Sequence, residues 1–193
     1  MFRTTGFFKI FSSLFLVIFL FSANPAFAQV NIAGGIAGAY APSLIYDEDN
    51  STPAAHKGKG YVWSIFGELI LKNQFVGRLQ YTHLLINTLE GNYAAFVGAG
   101  SSWTGSLGYV VGGATNSRLV FPILITSGAG LIDRKDFGVI GSAQIGFTAG
   151  PRFYITDYIA VCAEVRYLKG LPVRNSGDTI GLTDISIGAI LRL

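Results

Sequence analysis

The residue types that most often carry out catalysis are scarce in this chain, and their spacing does not assemble a catalytic site. Among 193 residues there are two histidines, His56 and His83. A serine hydrolase needs a histidine within hydrogen-bond reach of a serine, together with a carboxylate that orients the ring. On a predicted strand, residues two positions apart lie on the same face, so a serine at position 85 could meet His83. Position 85 is Leu. We therefore expect no catalytic residues, and the sequence disfavours a lipid-modifying enzyme.

Metal, cofactor and nucleic-acid sites are also unsupported. Two widely separated histidines make no metal site, and the acidic residues 47–49 are interpreted as a solvated loop rather than a calcium site. The single cysteine, Cys162, excludes an intramolecular disulfide and is expected to be a small inward-facing side chain. No cluster of Lys and Arg is interleaved with aromatic residues. We expect no metal, no cofactor and no nucleic-acid partner.

Charged residues instead recur at alternate positions of apolar segments. In 158–168, for example, Val161 and Val165 alternate with Glu164 and Arg166. Successive side chains of a strand point to opposite faces, so each such segment has one apolar face and one charged face. The charged positions form the candidate functional set: Glu68, Arg78, Arg118, Arg152, Glu164, Arg166, Asp184 and Arg192.

The direction in which this charged face points separates the possible folds. A soluble lipocalin-like barrel has an apolar lumen and a polar exterior, whereas here the large apolar and aromatic residues lie on the face opposite the charges. Charges directed at lipid cost several kcal/mol each, so in a membrane barrel they must point inward. The interior of eight strands is just wide enough for side chains, which predicts a paired network that plugs the lumen. A narrow channel or conduit for small solutes or hydrophobic compounds is the alternative.

Eight candidate strands predict the architecture. Short predicted connections at Lys72-Asn73, at Thr115-Asn116 and near 154–156 alternate strictly with long ones, as in an up-and-down meander. The predicted fold is all-β, an eight-stranded antiparallel up-and-down transmembrane β-barrel formed by residues 29–193. An even number of strands puts both chain ends on one side, which we expect to be periplasmic. The candidate strands are 30–41, 60–71, 74–88, 104–114, 117–129, 138–152, 157–168 and 181–193.

The N-terminal segment predicts export. Arg3 and Lys9 precede an apolar run at 10–23, and an A-x-A site ends at Ala28, so residues 1–28 read as a signal peptide cleaved between Ala28 and Gln29. Cleavage removes two of the 14 Lys and Arg and none of the 11 Asp and Glu, which leaves a formal charge of +1. After the signal no apolar run is long enough for a membrane helix. The expected location is the outer membrane of a Gram-negative-type bacterium.

One hairpin carries a family resemblance. Residues 150–167 end a strand in Arg and aromatics (Arg152-Phe153-Tyr154), turn at Thr156-Asp157, and end the next strand in Ala-Glu-Val-Arg-Tyr. This resembles the penultimate hairpin of the OmpA/OmpX-type small outer-membrane β-barrels. Family roles include envelope stability, adhesion, stress response and passage of small molecules, so the resemblance implies a structural or surface-interaction role without naming a ligand.

The resemblance also implies partners. They are outer-membrane lipid, lipopolysaccharide and the barrel-assembly machinery, which reads the C-terminal strand, and the protein is expected to be a monomer. Family members usually end in Phe or Trp, whereas this chain ends in Leu193. Cationic side chains predicted in the long connections are candidates for contact with lipopolysaccharide phosphates, namely Lys57, Lys59, Arg134, Lys135, Lys169 and Arg174.

Overall fold

The structure, a computed structural model, describes residues 30–47, 56–72, 74–89, 99–112, 118–134, 138–171 and 179–193. Residues 1–28 and the predicted cleavage site lie outside these ranges. No helix in the described part of the chain is long and apolar enough to cross a membrane. The described strands are β1 (Val30–Asp47), β2 (His56–Leu71), β3 (Phe75–Leu89), β4 (Ala99–Val111), β5 (Leu119–Arg134), β6 (Gly138–Ala149), β7 (Arg152–Tyr154), β8 (Ile159–Leu171) and β9 (Thr179–Arg192).

These strands form one closed antiparallel sheet with eight positions around the barrel. The order runs β4-β3-β2-β1-β9-β8-β6-β5, and pairing of β4 with β5 closes it. The short β7 continues β6, because Ile123 faces Ala149 and Val120 faces Arg152 without a change of register. Pro151 interrupts this strand because proline has no N–H for the ladder. The predicted eight-stranded antiparallel barrel is therefore confirmed.

The register fixes the tilt of the strands. Following paired residues once around the barrel from Val30 returns to β1 at Tyr40, a shear of ten residues. Strands in barrels of this kind tilt by about 35–45°. The path passes through Val30, Leu71, Phe75, Tyr109, Ile123, Ala149, Val165, Ile185 and Tyr40.

Several strands reach further than the sequence predicted. β1 continues beyond Pro42 to Asp47 because a shift of register at this point absorbs the proline. β5 continues through Gly128 and Gly130 to Arg134, since Leu131 and Ile132 resume the alternation of exposed and buried side chains. The prediction of strictly alternating long and short connections is wrong, because 112–118 separate β4 from β5 while only 135–137 separate β5 from β6. Thr115 and Asn116 lie outside the described residues.

Two short connections show how the chain reverses. Between β2 and β3, the N–H of Gln74 donates to the carbonyl of Leu71 over 3.0 Å, and Lys72 has a left-handed φ of 52°. Between β7 and β8, the hydroxyl of Thr156 accepts from the N–H of Tyr158 and of Ile159 at 3.2 and 3.0 Å. A threonine that bonds forward along its own backbone stabilises such a turn. We call this end of the barrel, where Val30 and Arg192 also lie, the turn end, and the opposite end the loop end.

Alternation assigns the two faces of the wall. Along β8, exposed and buried positions alternate over the whole strand, with Glu164 and Arg166 on the buried face. The outward face is apolar, and large side chains such as Ile125, Ile187 and Leu107 are 72%, 73% and 67% exposed. A surface of this kind is stable next to hydrocarbon and unstable in water. The barrel interior therefore holds the polar groups, as predicted.

Candidate functional site

Four of the predicted charges meet in the lumen as an ionic tetrad, made of Glu68, Arg78, Arg152 and Glu164. Arg78 donates from Nη1 and Nη2 to the two carboxylate oxygens of Glu164 at 2.7 and 2.6 Å, and from Nε to Glu68 at 2.7 Å. Arg152 donates to both oxygens of Glu68 at 2.8 and 3.0 Å and to Glu164 at 3.3 Å. Each arginine thus contacts both carboxylates, and the tetrad carries no net charge.

The tetrad joins opposite walls of the barrel. Glu68 and Arg78 are direct partners on neighbouring β2 and β3. Glu164 on β8 lies four positions around the barrel from Arg78 in either direction, and Arg152 on β7 lies equally far from Glu68. Bidentate arginine–carboxylate contacts are strong and geometrically specific. The tetrad therefore ties two halves of the barrel together across its axis.

A second ion pair lies nearer the loop end. Arg166 Nη2 lies 2.6 Å from a carboxylate oxygen of Asp184, its direct partner across β8 and β9. The same guanidinium donates from Nη1 to the hydroxyl of Thr82 on β3 at 2.7 Å. Both groups of the pair are about 2% exposed. Arg166 thus also spans the lumen, and its hydrogen bonds go to Asp184 and Thr82 rather than to Glu164.

The remaining two predicted charges lie elsewhere. Arg118 precedes β5 at the turn end and is exposed, so its assignment to the lumen is wrong: the alternation that would turn it inward begins only at Leu119. Arg192 is half-buried near the end of β9, with its guanidinium carbon 5.8 Å from the ring centre of Tyr154. Six of the eight charges are therefore deeply buried, and they divide into the tetrad and the Arg166–Asp184 pair.

Uncharged polar groups fill the wall beside these charges. The hydroxyls of Ser106, Thr126 and Thr148 form a chain across β4, β5 and β6, with separations of 2.9 and 3.2 Å. Nearer the loop end, Gln144 accepts from Ser102 at 2.7 Å and donates to the carbonyl of Ile180 on β9 at 3.1 Å. Each bond passes over one intervening strand, β5 or β8, where Gly130 and Gly170 have no side chains to block it.

Two clusters of buried apolar side chains lie inside the barrel, one on either side of the polar groups. The turn-end layer includes Ile70, Val76 and Ile190, and the loop-end layer includes Leu84, Leu168 and Leu182. A cavity beside Leu84, Gln144 and Ile180 measures about 10 Å³, which is at most the space of a single water molecule.

Sequence reasoning did not single out two contributors to this interior, although alternation places both on the inward face. Phe66 points inward despite its size, and the Arg78 guanidinium carbon lies 4.4 Å from its ring centre. A ring stacked on a buried guanidinium is a favourable cation–π contact. The bond from Gln144 to Ile180 depends on the order and register of β6, β8 and β9, which no alternation pattern contains.

Among the described residues, the side chains that most often take part in catalysis do not form a hydrogen-bonded catalytic set. His83 lies on the outer face of β3, where its ring centre is 5.5 Å from that of Trp63 and its direct neighbour on β4 is Ser101. No hydrogen bond joins His83 and Ser101 among the described contacts, and no carboxylate lies on the described outer face beside them. His56 begins β2 rather than lying in a loop. The described residues contain no group of three or more His, Cys, Asp or Glu that could hold a metal ion.

Comparison with solved structures gives a neighbour for this architecture. Neisserial surface protein A (NspA) aligns with a TM-score of 0.57 and 13% sequence identity over 84% of this chain and 98% of that one. The protein has the fold of a small eight-stranded outer-membrane β-barrel. Ail, the attachment invasion locus protein of Yersinia pestis, aligns at a TM-score of 0.48 and 13% identity over 83% of this chain and 98% of its own.

Sequence comparisons add no closer relative. No protein-family model matches the chain, and no curated protein matches it. At 13% identity the likeness to NspA concerns the fold. The expected resemblance to small outer-membrane barrels is confirmed at that level, and the role of this barrel has to be argued from its own residues.

Proposed function

We propose that the protein is an integral outer-membrane β-barrel with a closed lumen and a structural or surface-interaction role. The observation that carries this proposal is the ionic tetrad, which spans the barrel axis between two apolar layers. A conducting pore needs a continuous hydrated path, whereas here the lumen is occupied by bonded side chains. What remains for interaction is the outer wall and the connections at the loop end.

The outer wall supports the proposed membrane location. Aromatic side chains lie near both ends of the strands, for example Phe75 beside Tyr109 at the turn end and Tyr40 beside Tyr61 at the loop end, with ring centres 5.5 and 5.9 Å apart. Aromatic girdles of this kind mark the two interfaces of membrane barrels. We propose that both termini are periplasmic, that residues 29–193 form the mature barrel, and that it is a monomer.

Partners follow from the same location. We propose contacts with outer-membrane lipid and lipopolysaccharide along the wall, and recognition of β9 by the barrel-assembly machinery during insertion. β9 presents Ile185, Ile187 and Leu191 outward and runs to the end of the barrel, where the N–H of Leu193 donates to the carbonyl of Ile32 at 2.7 Å. A final strand with an apolar outer face and a polar inner face is the kind of segment that we propose the machinery recognises.

Planar-bilayer recording of the refolded mature protein tests the closed lumen. We expect no steady conductance from the wild-type barrel. The Arg78→Ala/Glu164→Ala variant removes one arginine and its matched carboxylate while leaving Glu68 and Arg152 paired, so it serves as the open-lumen comparison. Steady conductance of the wild-type protein would make the narrow channel the better description.

The position of Ser101 opposite His83 is the one observation that favours a lipid hydrolase. Incubation of the refolded protein with a diacyl phospholipid, followed by measurement of released fatty acid, tests it. We expect no release. Release that is lost in Ser101→Ala would establish the enzymatic role instead.

A further inference from the structure

We infer that the loop end of the wall formed by β2, β3 and β4 binds the anionic phosphate headgroup of a membrane lipid in preference to a zwitterionic headgroup. The site consists of an aromatic patch, made of Tyr61, Trp63, Tyr81 and Trp103, with His83 in its upper edge and Lys59 above it on β2. The inference rests on the proposed membrane location, and it adds to that location a specific place on the barrel and a specific lipid chemistry.

Three rings of the patch, those of Trp63, Tyr81 and Trp103, form a continuous surface. Trp63 lies 5.7 Å from Tyr81 and Tyr81 lies 4.9 Å from Trp103, measured between ring centres, and the rings are tilted or edge-to-face. Trp63 and Trp103 are 47% and 60% exposed on the outer wall. Aromatic pairs in these arrangements hold each other in place, so the patch offers a preformed surface to a ligand.

The patch ends at β5, because the register neighbour of Trp103 on β5 is Ala129 and the neighbour of Ala129 on β6 is Ala143. On β1, Trp63 faces Gly38, while the ring centre of Tyr61 lies 5.9 Å from that of Tyr40. A girdle that serves only to hold a barrel at an interface needs aromatic residues all around it. Both tryptophans are instead bordered by small residues, which leave room beside them for one bound molecule.

Charge favours an anionic ligand. Lys59 is exposed two residues beyond Tyr61 on the outer face of β2, and His83 and Ser101 contribute an imidazole and a hydroxyl at the same end. Among strand residues whose side chains the structure describes, the outward-facing set contains no Asp or Glu. A lysine at the membrane surface is worth about 1 kcal/mol toward an anionic headgroup. Phosphate is the anion that membrane lipids present at this depth.

Space for an acyl chain lies directly below the patch. Gly38 faces Trp63, and Gly67 lies four residues further toward the turn end on β2. A Cβ atom built at Gly38 or at Gly67 would meet no other atom within 4 Å, so the wall is recessed at both positions. The headgroup contacts and the recess lie on adjoining strands, as a single lipid requires.

Tryptophan fluorescence tests the site without interference, because Trp63 and Trp103 are the two tryptophans of the chain. The mature protein, refolded in micelles of an uncharged detergent, is titrated with phosphatidic acid, with phosphatidylcholine, or with inorganic phosphate. We expect emission to shift at a lower concentration of phosphatidic acid than of phosphatidylcholine, and inorganic phosphate alone to cause no shift.

Matched variants assign the effect to the site. Lys59→Gln and His83→Phe should each raise the midpoint for phosphatidic acid, roughly fivefold for the lysine. Lys169→Gln is the control, since Lys169 is exposed two residues beyond Tyr167 on the outer face of β8, away from both tryptophans. Circular dichroism of each variant verifies that the barrel has folded, and insertion into lipid vesicles tests the membrane location separately.

Four outcomes would overturn the inference. Equal midpoints for the two lipids, or an equal effect of Lys169→Gln, would reduce the patch to a nonspecific girdle. An identical shift with inorganic phosphate would indicate an anion site that ignores the acyl chains. A dimer that is abolished by Trp63→Ala would assign the patch to a second copy of this chain. If folding and vesicle insertion succeed in any of these cases, the proposed function stands while the lipid site falls.

Discussion

Arg78 and Glu164 lie on opposite sides of the barrel, and their side chains meet near its axis in two hydrogen bonds of 2.7 and 2.6 Å. Both side chains are almost completely buried. A buried ion pair does not by itself imply a gain in stability, because the desolvation of both ions opposes their attraction. Its position has another consequence, because the pair joins two opposite walls of the barrel, and in the proposed closed lumen it would also block the path between them.

Removal of one member of the tetrad should be costly. Glu164→Ala leaves Arg78 with its contact to Glu68 only, and Arg152 also loses a partner, so an excess positive charge stays buried. We expect a loss of about 3–5 kcal/mol in the free energy of unfolding. Urea titration of the protein in lipid vesicles, followed by circular dichroism, measures it. A loss below 1 kcal/mol would mean that water reaches these charges.

A double-mutant cycle should separate the tetrad from the Arg166–Asp184 pair. In Glu164→Ala/Arg78→Ala the neutral Glu68–Arg152 pair remains, so the double variant should lose less than the sum of the two single losses. Glu164→Ala/Arg166→Ala should be additive within about 0.5 kcal/mol, because Arg166 bonds to Asp184 and Thr82. Strong coupling in the second cycle would show that all six buried charges act as one network.

Replacement of glycine should be destabilising where neighbouring strands approach each other closely. A Cβ at Gly146 on β6 would overlap the carbonyl oxygen of Tyr167 on β8, whereas a Cβ at Gly67 would enter open space. We expect Gly146→Ala to destabilise the barrel by about 1–3 kcal/mol, since overpacking against backbone cannot relax by a rotamer change. Gly67→Ala is the matched control and should be nearly neutral in the same urea titration.

The architecture could be predicted from the sequence because its main determinant is local. Alternation with a period of two assigns a face to each side chain from its neighbours alone, and this placed Glu68, Arg78, Glu164 and Arg166 in the lumen correctly. The same rule gave a wrong face for Arg118, because alternation predicts that it points inward but β5 begins only at Leu119. A local pattern determines the face of a residue only where a ladder exists.

The pairing of charges inside the lumen could not be predicted, because it depends on the closed barrel and not on neighbouring residues in the sequence. Whether Glu164 bonds to Arg166 or to Arg78 depends on the inner width of the eight-stranded barrel, which is fixed by the shear and tilt of its strands. Alternation contains no information about that distance. The strand ends near Pro42 and Gly130 were missed because a bulge and the neighbouring strand sustained pairing where residue propensity opposed it.

Export should remove the first 28 residues. The charged n-region with Arg3 and Lys9, the short apolar run and the A-x-A site at Ala28 match the requirements of signal peptidase. We expect the protein isolated from the outer membrane to begin at Gln29. N-terminal sequencing or intact-mass measurement decides this, and Ala28→Leu, which places a large side chain at the cleavage position, should block processing. An intact Met1 on the wild-type protein would contradict the prediction.

The depth of an outward-facing side chain should set its tolerance to charge. Leu79 and Leu85 both point outward from β3, and Leu85 faces Tyr61 at the loop-end aromatic level, while Leu79 lies between that level and Phe75 at the turn-end aromatic level. Leu79→Arg should cost about 2–4 kcal/mol in vesicles, whereas Leu85→Arg should cost only about 0–1 kcal/mol because its guanidinium reaches water. Both variants replace leucine by arginine on the outer face of β3, so differences in strand propensity and in added charge cancel in the comparison. Equal losses in a urea titration would mean that the hydrocarbon layer extends to the level of Tyr61, and that the loop-end interface lies further out than the aromatic patch indicates.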